Sequence, residues 1–318
     1  MPQVNLIQVT GSSYYCSGRL SIGVYIFDGK ALIIDSGIDD AIAKAIDKTL
    51  LQHDCIPVAI INTHSHADHC GGNQYFQNKY KNIRIYASKY EQHYIEDPVN
   101  EPRCFCCGAN PLKELRNRHL EAKPSTVTNV IHPYQDQTIS IEGRNFRIIT
   151  LPGHTPGMIG VITPDQVLYS GDAIFGHDTF EKHGILFYTD IEASIATFDK
   201  IYQLGIEHAV LYHGEYCNDI GKKALAHKQK LEETADAIAD IISHAKSATI
   251  DDVTSMVIRH FNIPQNVTQF VLTRTCVNAY ISYLQKQGRI NTGMQEGALV
   301  VNIAAIPEKA GSTPSMTM

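Results

Sequence analysis

Residues 58–72 read Val58-Ala59-Ile60-Ile61-Asn62-Thr63-His64-Ser65-His66-Ala67-Asp68-His69-Cys70-Gly71-Gly72. The first half is an apolar run containing β-branched residues, and a glycine pair closes the second half. Such a run bounded by turn signals predicts a buried strand. His64, His66, Asp68 and His69 then fall on the loop at the strand's end, where a rigid scaffold aims them at one point. Neutral imidazole suits zinc and iron, and a carboxylate adds charge. A structural zinc finger draws on cysteines and fills all four positions. A His and Asp set more often leaves a position open for water.

Three later residues share that setting. His154 sits in Leu151-Pro152-Gly153-His154-Thr155-Pro156-Gly157, Asp172 in Tyr169-Ser170-Gly171-Asp172-Ala173, and His213 in Val210-Leu211-Tyr212-His213-Gly214. Each follows a short apolar run and adjoins glycine, so each reads as a strand-end ligand. The plain alternatives are turn caps for His154 and Asp172 and a satisfied core histidine for His213. The order His-x-His-x-Asp-His, then His, Asp and His resembles the metallo-β-lactamase-fold hydrolases over residues 4–215. Within that superfamily the motifs look most like the glyoxalase II-like branch, which cleaves acyl thioesters such as hydroxyacylglutathione.

The resemblance implies an αββα sandwich and a binuclear site. His64, His66 and His154 would hold one divalent ion, and Asp68, His69 and His213 a second. Asp172 would bridge them. Zinc is the first expectation, with iron or manganese accommodated by the same donors. A hydroxide held between the ions would attack the substrate carbonyl, and Asp68 could relay a proton to the leaving atom. Asp68 and Asp172 are thus the catalytic candidates. The stretch after Asp172 departs from the glutathione hydrolases, which carry a Lys and a Tyr within a Gly-rich segment. Here Lys182 and Tyr188 lie nearby at a different spacing, and His177 and His183 read as surface residues.

The reading is therefore a binuclear hydrolase of a thioester or related carbonyl ester, acting on a small molecule. A lactonase and a phosphodiesterase or RNase are the alternatives on the same metals. A mononuclear iron sulfur-dioxygenase or a non-catalytic ligand sensor is the alternative from another class. No Gly-x-Ser-x-Gly elbow appears, so a serine nucleophile is not indicated.

A net charge of −6 gives no global basic field to draw the chain to nucleic acid or to an anionic membrane. No apolar stretch is long enough to span a bilayer, and Met1-Pro2-Gln3-Val4-Asn5 does not read as a secretory signal. Eight irregularly spaced cysteines argue for reduced thiols and a cytoplasmic setting. Cys104, Cys106 and Cys107 lack the second pair that a zinc ribbon needs, and read as ordinary loop thiols.

Outside the motifs, strands are expected at 4–9, 22–27, 30–34, 83–86, 127–131, 138–142, 145–150, 158–162, 166–170 and 208–212. Helices are expected at 39–52 and 192–204, with another starting at Ser88 in a capping box with Glu91. Asp35, at the end of its strand, is placed either to orient a ligand or to cap the next helix. Residues 97–124, with four prolines, read as a lid or as a solvated excursion with a short helix at 111–121. The catalytic domain is expected over 1–218. Helices at 221–246, 250–261 and 267–287, followed by a hairpin, resemble a winged helix over 219–305. Packing or homodimer formation is favoured over DNA binding for that module. Residues 306–318 read as a loose tail.

Overall fold

A computed structural model describes residues 4–304; the tail at 306–318 lies outside the described residues. The first sheet runs through β1 (Asn5–Thr10), β2 (Ser13–Ser17), β3 (Ile22–Phe27) and β4 (Lys30–Ile34) as antiparallel neighbours. Asp28 and Gly29 turn the β3–β4 hairpin with φ of 48° and 70°, as a two-residue loop of the favoured twist requires. After α1 (Asp40–Gln52) the sheet becomes parallel, with β5 (Ile56–Ile61), β6 (Arg84–Ser88) and β7 (Asn129–Ile131). The turn of helix α2 (Ala67–Cys70) and α3 (Asn73–Lys79) cross from β5 to β6, and α4 (Lys89–Glu96) and α5 (Asn100–Phe105) follow β6.

The second sheet contains β8 (Gln137–Ile141), β9 (Arg144–Thr150), β10 (Ile159–Ile162) and β11 (Val167–Tyr169). Helices α6 (His177–Lys182) and α7 (Ile191–Leu204) lead to β12 (His208–Val210) and β13 (Tyr216–Cys217), and the spatial order is β13-β12-β11-β10-β9-β8. Next come α8 (Ile220–Ala245), β14 (Ala248–Thr249), α9 (Ile250–His260), α10 (Val267–Lys286), β15 (Ile290–Gln295) and β16 (Ala298–Ile303). The last three strands form a small sheet in the order β14-β16-β15.

The period of two along each strand builds the layers. Leu32, Ile34, Ala59 and Ile61 meet Ile148, Val161, Val167 and Val210 between the two sheets. The alternate residues Ala31, Ile33 and Ile60 pack with Ala43, Ile46 and Leu50 of α1. On the second sheet Ile149, Ile162, Leu168 and Ala209 pack with Phe198 and Ile201 of α7. The result is the expected αββα layering, and burial on both faces explains why these strands read as near-continuous apolar runs. The outer core does not stop at residue 218. Leu231 and Ile238 of α8, Val257 of α9 and Tyr280 of α10 join it, each almost wholly buried. Burying the aliphatic ones contributes roughly 1.5–3 kcal/mol apiece.

Two local readings change. The helix expected at 111–121 is only a turn over Lys113–Leu115, and the helix of this segment lies earlier, at α5. Asn117 is the reason: its side chain donates to Glu114 O at 2.9 Å and accepts from His119 N at 3.0 Å, competing with helical bonding. The segment is solvated, as expected of an excursion, but tied to the domain at its second half. Arg118 and Lys123 pair with Asp39 and Asp40 of the α1 start at 3.4 and 2.7 Å.

Candidate metal centre

The seven sequence candidates converge on one edge of the sandwich. His64, His66, Asp68 and His69 follow β5, while His154, Asp172 and His213 follow β9, β11 and β12. The first loop can fold so tightly because of its glycines. A Cβ on Gly71 would lie 2.1 Å from Ile38 O, and one on Gly72 2.2 Å from Ser36 O. Only glycine lets that backbone close against the β4–α1 loop.

Two clusters share one carboxylate. Nδ1 of His66 lies 3.0 Å from His64 Nε2 and 2.8 Å from His154 Nε2. Asp68 Oδ2 lies 3.2 Å from His213 Nε2 and 3.9 Å from His69 Nε2. Asp172 stands between them. Its Oδ1 is 3.3 Å from His69 Nε2, and its Oδ2 is 3.3 Å from His213 Nε2 and 3.5 Å from His154 Nε2. The donor atoms of His64, His66 and His154 lie close enough to hold one ion, as do those of Asp68, His69 and His213.

The unsatisfied atoms bear on whether a metal fits. His69 Nε2 and Asp172 Oδ1 are fully buried and have no hydrogen-bond partner. A buried polar atom left unpaired is costly, and both atoms point into the cluster, where a divalent ion would satisfy them.

Electrostatics agree. Burial, reinforced by neighbouring imidazoles, keeps His64 well below its ordinary pKa and pushes His66 down to about 3. Both imidazoles are thus neutral near pH 7, the form in which a metal would bind them. Burial opposes charge on His213, but Asp172 and Asp68 outweigh it and raise its pKa to about 10. Burial likewise opposes charge on His69, where Asp172, Asp35 and Asp68 prevail. Asp172 is held well below the carboxylate range, its burial overcome by His213 and His69. The carboxylates therefore draw positive charge into this half of the site, and a metal binding there would displace those protons.

The sequence profile of the Metallo-beta-lactamase superfamily matches residues 20–213, which spans all seven of these side chains. The chain belongs to the metallo-beta-lactamase superfamily. A hydroxyacylglutathione hydrolase of a Synechococcus species is 24% identical over 182 residues, 57% of this chain and 58% of the relative. One from Xanthomonas campestris pv. campestris is 28% identical over 148 residues, 46% of this chain and 43% of the relative. The chain thus spans about half the length of these curated relatives. Among solved structures, a metallo-beta-lactamase family protein from Thermus thermophilus is similar with a TM-score of 0.70 at 16% identity, over 95% of this chain and 99% of that one. A beta-lactamase domain protein from Burkholderia ambifaria matches with a TM-score of 0.70 at 14% identity, over 94% of each chain. At that identity these structures speak for the fold, and their coverage takes in the C-terminal helices. Members of the superfamily bind divalent metals, and this His and Asp cluster suits one.

Within this superfamily fold, further residues position the candidate ligands. Asp35 has φ 62°, a left-handed conformation that Asp tolerates better than most residues. Its carboxylate accepts from His69 Nδ1, Thr63 N and Thr63 Oγ1, each at 2.8 Å. It therefore orients the candidate ligand His69, while the helix cap is Asp39. Tyr212 stacks on His69 with ring centroids 3.7 Å apart, and its hydroxyl donates to Asp68 O at 2.5 Å. His154 Nδ1 donates to Phe187 O at 2.7 Å, which turns Nε2 toward the cluster.

Sequence reasoning missed two supports. Glu91 is wholly buried. Its Oε2 accepts from Ser65 N and Ser65 Oγ at 3.0 and 2.5 Å, and its Oε1 from Thr155 Oγ1 and Gly157 N at 2.7 and 3.0 Å. One carboxylate thus clamps the loops carrying His64, His66 and His154. His227 of α8 accepts the Phe175 backbone N–H at 3.0 Å on Nε2 and donates from Nδ1 to Lys223 O at 2.8 Å.

The ligands open into a cleft of about 1190 Å³ that also reaches α10 and the 97–124 segment. His177, His183 and Lys182 line it and are exposed, whereas Tyr188 is buried and donates to Ala173 O at 3.0 Å. Cys70 is packed beneath the ligand loop, donating to Ser65 O at 3.1 Å. The 104–107 thiols are unbridged, and Cys104 and Cys107 are exposed.

Proposed function

We propose that the chain is a metal-dependent hydrolase that cleaves a thioester or related carbonyl ester. His64, His66 and His154 would hold one divalent ion, Asp68, His69 and His213 a second, and Asp172 both. The observation that carries this reading is Asp172: its two oxygens reach toward both clusters while Oδ1 lacks any other partner. Zinc is the first ion to try, and iron(II) and manganese are compatible with the same donors. Bound divalent ions lower the pKa of water toward neutrality and polarise a carbonyl oxygen.

The chain's own residues supply the rest. Asp68 is held down to about 2, burial being outweighed by His69 and His213, so it is ionised at neutral pH. Its side chain is partly exposed at the cleft, and its carboxylate can carry a proton toward the leaving sulfur. The buried Cys70 thiol, raised well above its usual pKa by burial and nearby carboxylates, is no nucleophile. The names of the curated relatives favour a thioester over a lactone or phosphodiester. All eight cysteines are free, which supports a reducing compartment such as the cytoplasm. No helix among the described residues is long and apolar enough to cross a membrane.

The test is thiol release from a panel of acyl thioesters by protein reconstituted with zinc, manganese or iron(II). Release that stops with a chelator and in Asp172→Ala supports the reading. No release from protein holding two ions per chain refutes it and redirects the search to lactones and phosphodiesters.

A further inference from the structure

The cleft does not end at the metal ligands. Phe187 continues its wall, with its ring centroid 5.9 Å from that of His66 and 5.5 Å from that of His154. Phe105, at the end of α5, stands edge-on to Phe187 at 6.2 Å. Behind Phe187, Leu186 meets α10, where Cys276 Sγ lies 3.8 Å from Leu186 O. Leu272, one turn earlier on α10, and Ile263, between α9 and α10, line the same space. Phe105, Phe187, Ile263 and Leu272 are only half-buried although all four face a concavity. Large apolar side chains left partly bare inside a cleft mark a binding surface. The volume of about 1190 Å³ exceeds the range of about 300–1,000 Å³ usual for small-molecule sites.

The wall is held in place from both sides. Thr268 Oγ1 of α10 donates to Glu114 O of the 97–124 segment at 3.2 Å, and Arg118 and Lys123 anchor that segment to the α1 start.

Resting on the thioesterase reading, we propose that this end of the cleft receives a long apolar acyl arm. The substrate is a medium- or long-chain acyl thioester whose carbonyl lies at the candidate metal cluster and whose chain runs past Phe187 along Phe105, Ile263 and Leu272. Water alone balances the reaction. The acyl carbon gains a C–O bond and loses its C–S bond, and the products are a carboxylate, a free thiol and a proton.

The test uses the zinc-loaded full chain and straight-chain acyl esters of a single thiol, from acetyl to decanoyl, read by thiol release. kcat/KM rises about fourfold per added methylene until the wall is filled. Leu272→Trp, which occupies that space, flattens the rise. Binding of straight-chain alkyl sulfonates, from butyl to octyl, to the metal-free full chain tightens in parallel and flattens in the same variant. Ile263→Trp replaces Leu272→Trp if thermal unfolding shows the latter does not fold. Hydrolysis without chain-length dependence, or a dependence that the Trp variant leaves intact, overturns the acyl-arm assignment while the thioesterase reading stands. If no thioester is hydrolysed, the thioesterase reading fails and the sulfonate series decides alone. A flat sulfonate series overturns the arm in either case.

Discussion

Asp35 Oδ2 lies 2.8 Å from His69 Nδ1, with both side chains buried. The contact fixes which nitrogen of His69 faces the cluster: Nδ1 keeps its proton for Asp35, and Nε2 is the nitrogen whose proton a metal would displace. Loss of an outer partner of this kind typically weakens metal affinity by about 10–100-fold. Asp35→Asn is therefore expected to lower occupancy of the second ion more than the first. Titration with a chromophoric chelator measures this, and unchanged affinities at both sites would count against the role given to Asp35.

Glu91 accepts four hydrogen bonds from two loops. Glu91→Ala strands their donors in the core at about 1–3 kcal/mol each. The variant should lose several kcal/mol of stability and bind the first ion poorly, since His64, His66 and His154 lose their common brace. Denaturant midpoints and metal content read the two effects, and a variant as stable as wild type would sink the clamp.

His227 gives a pH signature. Burial pushes its pKa down from 6.5 to about 4, so the folded chain favours the neutral ring. Protonation then favours the unfolded chain. The contribution is complete above pH 6.5, falls as pH drops toward 4, and changes no further below that. The full difference is about 3 kcal/mol. Metal-free wild type should lose this relative to His227→Gln between those pH values, as unfolding free energies measured across the range would show. Parallel curves would mean that His227 is protonated without penalty.

The C-terminal helices share the outer core with the second sheet, and His227 of α8 holds the backbone three residues beyond Asp172. Ending the chain at residue 218 exposes that core, so the fragment is expected to lack a cooperative thermal transition. A folded, metal-binding fragment would make the C-terminal region a separable appendage.

Much of the candidate site was legible in the sequence because each candidate ligand lies just beyond an apolar run, and His154, Asp172 and His213 also adjoin glycine, so position and chemistry speak together. Asp35 was legible because it ends the apolar run Ala31-Leu32-Ile33-Ile34 just before Ser36-Gly37. Glu91 was visible only as a capping partner of Ser88. Ser88 Oγ does accept from Glu91 N, at 3.3 Å, but the carboxylate turns away to residues 26 and 64 to 66 positions distant. No local pattern announces such a link. His227 was hidden differently, as one more position on the buried face of a long helix. The strand β2, Ser13-Tyr14-Tyr15-Cys16-Ser17, escaped notice because its serine ends interrupt the apolar run, and the burial of Tyr15 between the two sheets is a tertiary feature. Likewise, α3 and α6 are too short for a helical period to emerge.

The central claim is that one carboxylate, Asp172, joins two metal positions. The most direct measurement is the metal-to-protein ratio of Asp172→Ala beside wild type after saturation with zinc and removal of free ion. The account predicts two ions per chain in wild type and a clear loss in the variant, whose thermal unfolding confirms that it is folded. A folded Asp172→Ala that retains two tightly held ions would contradict it.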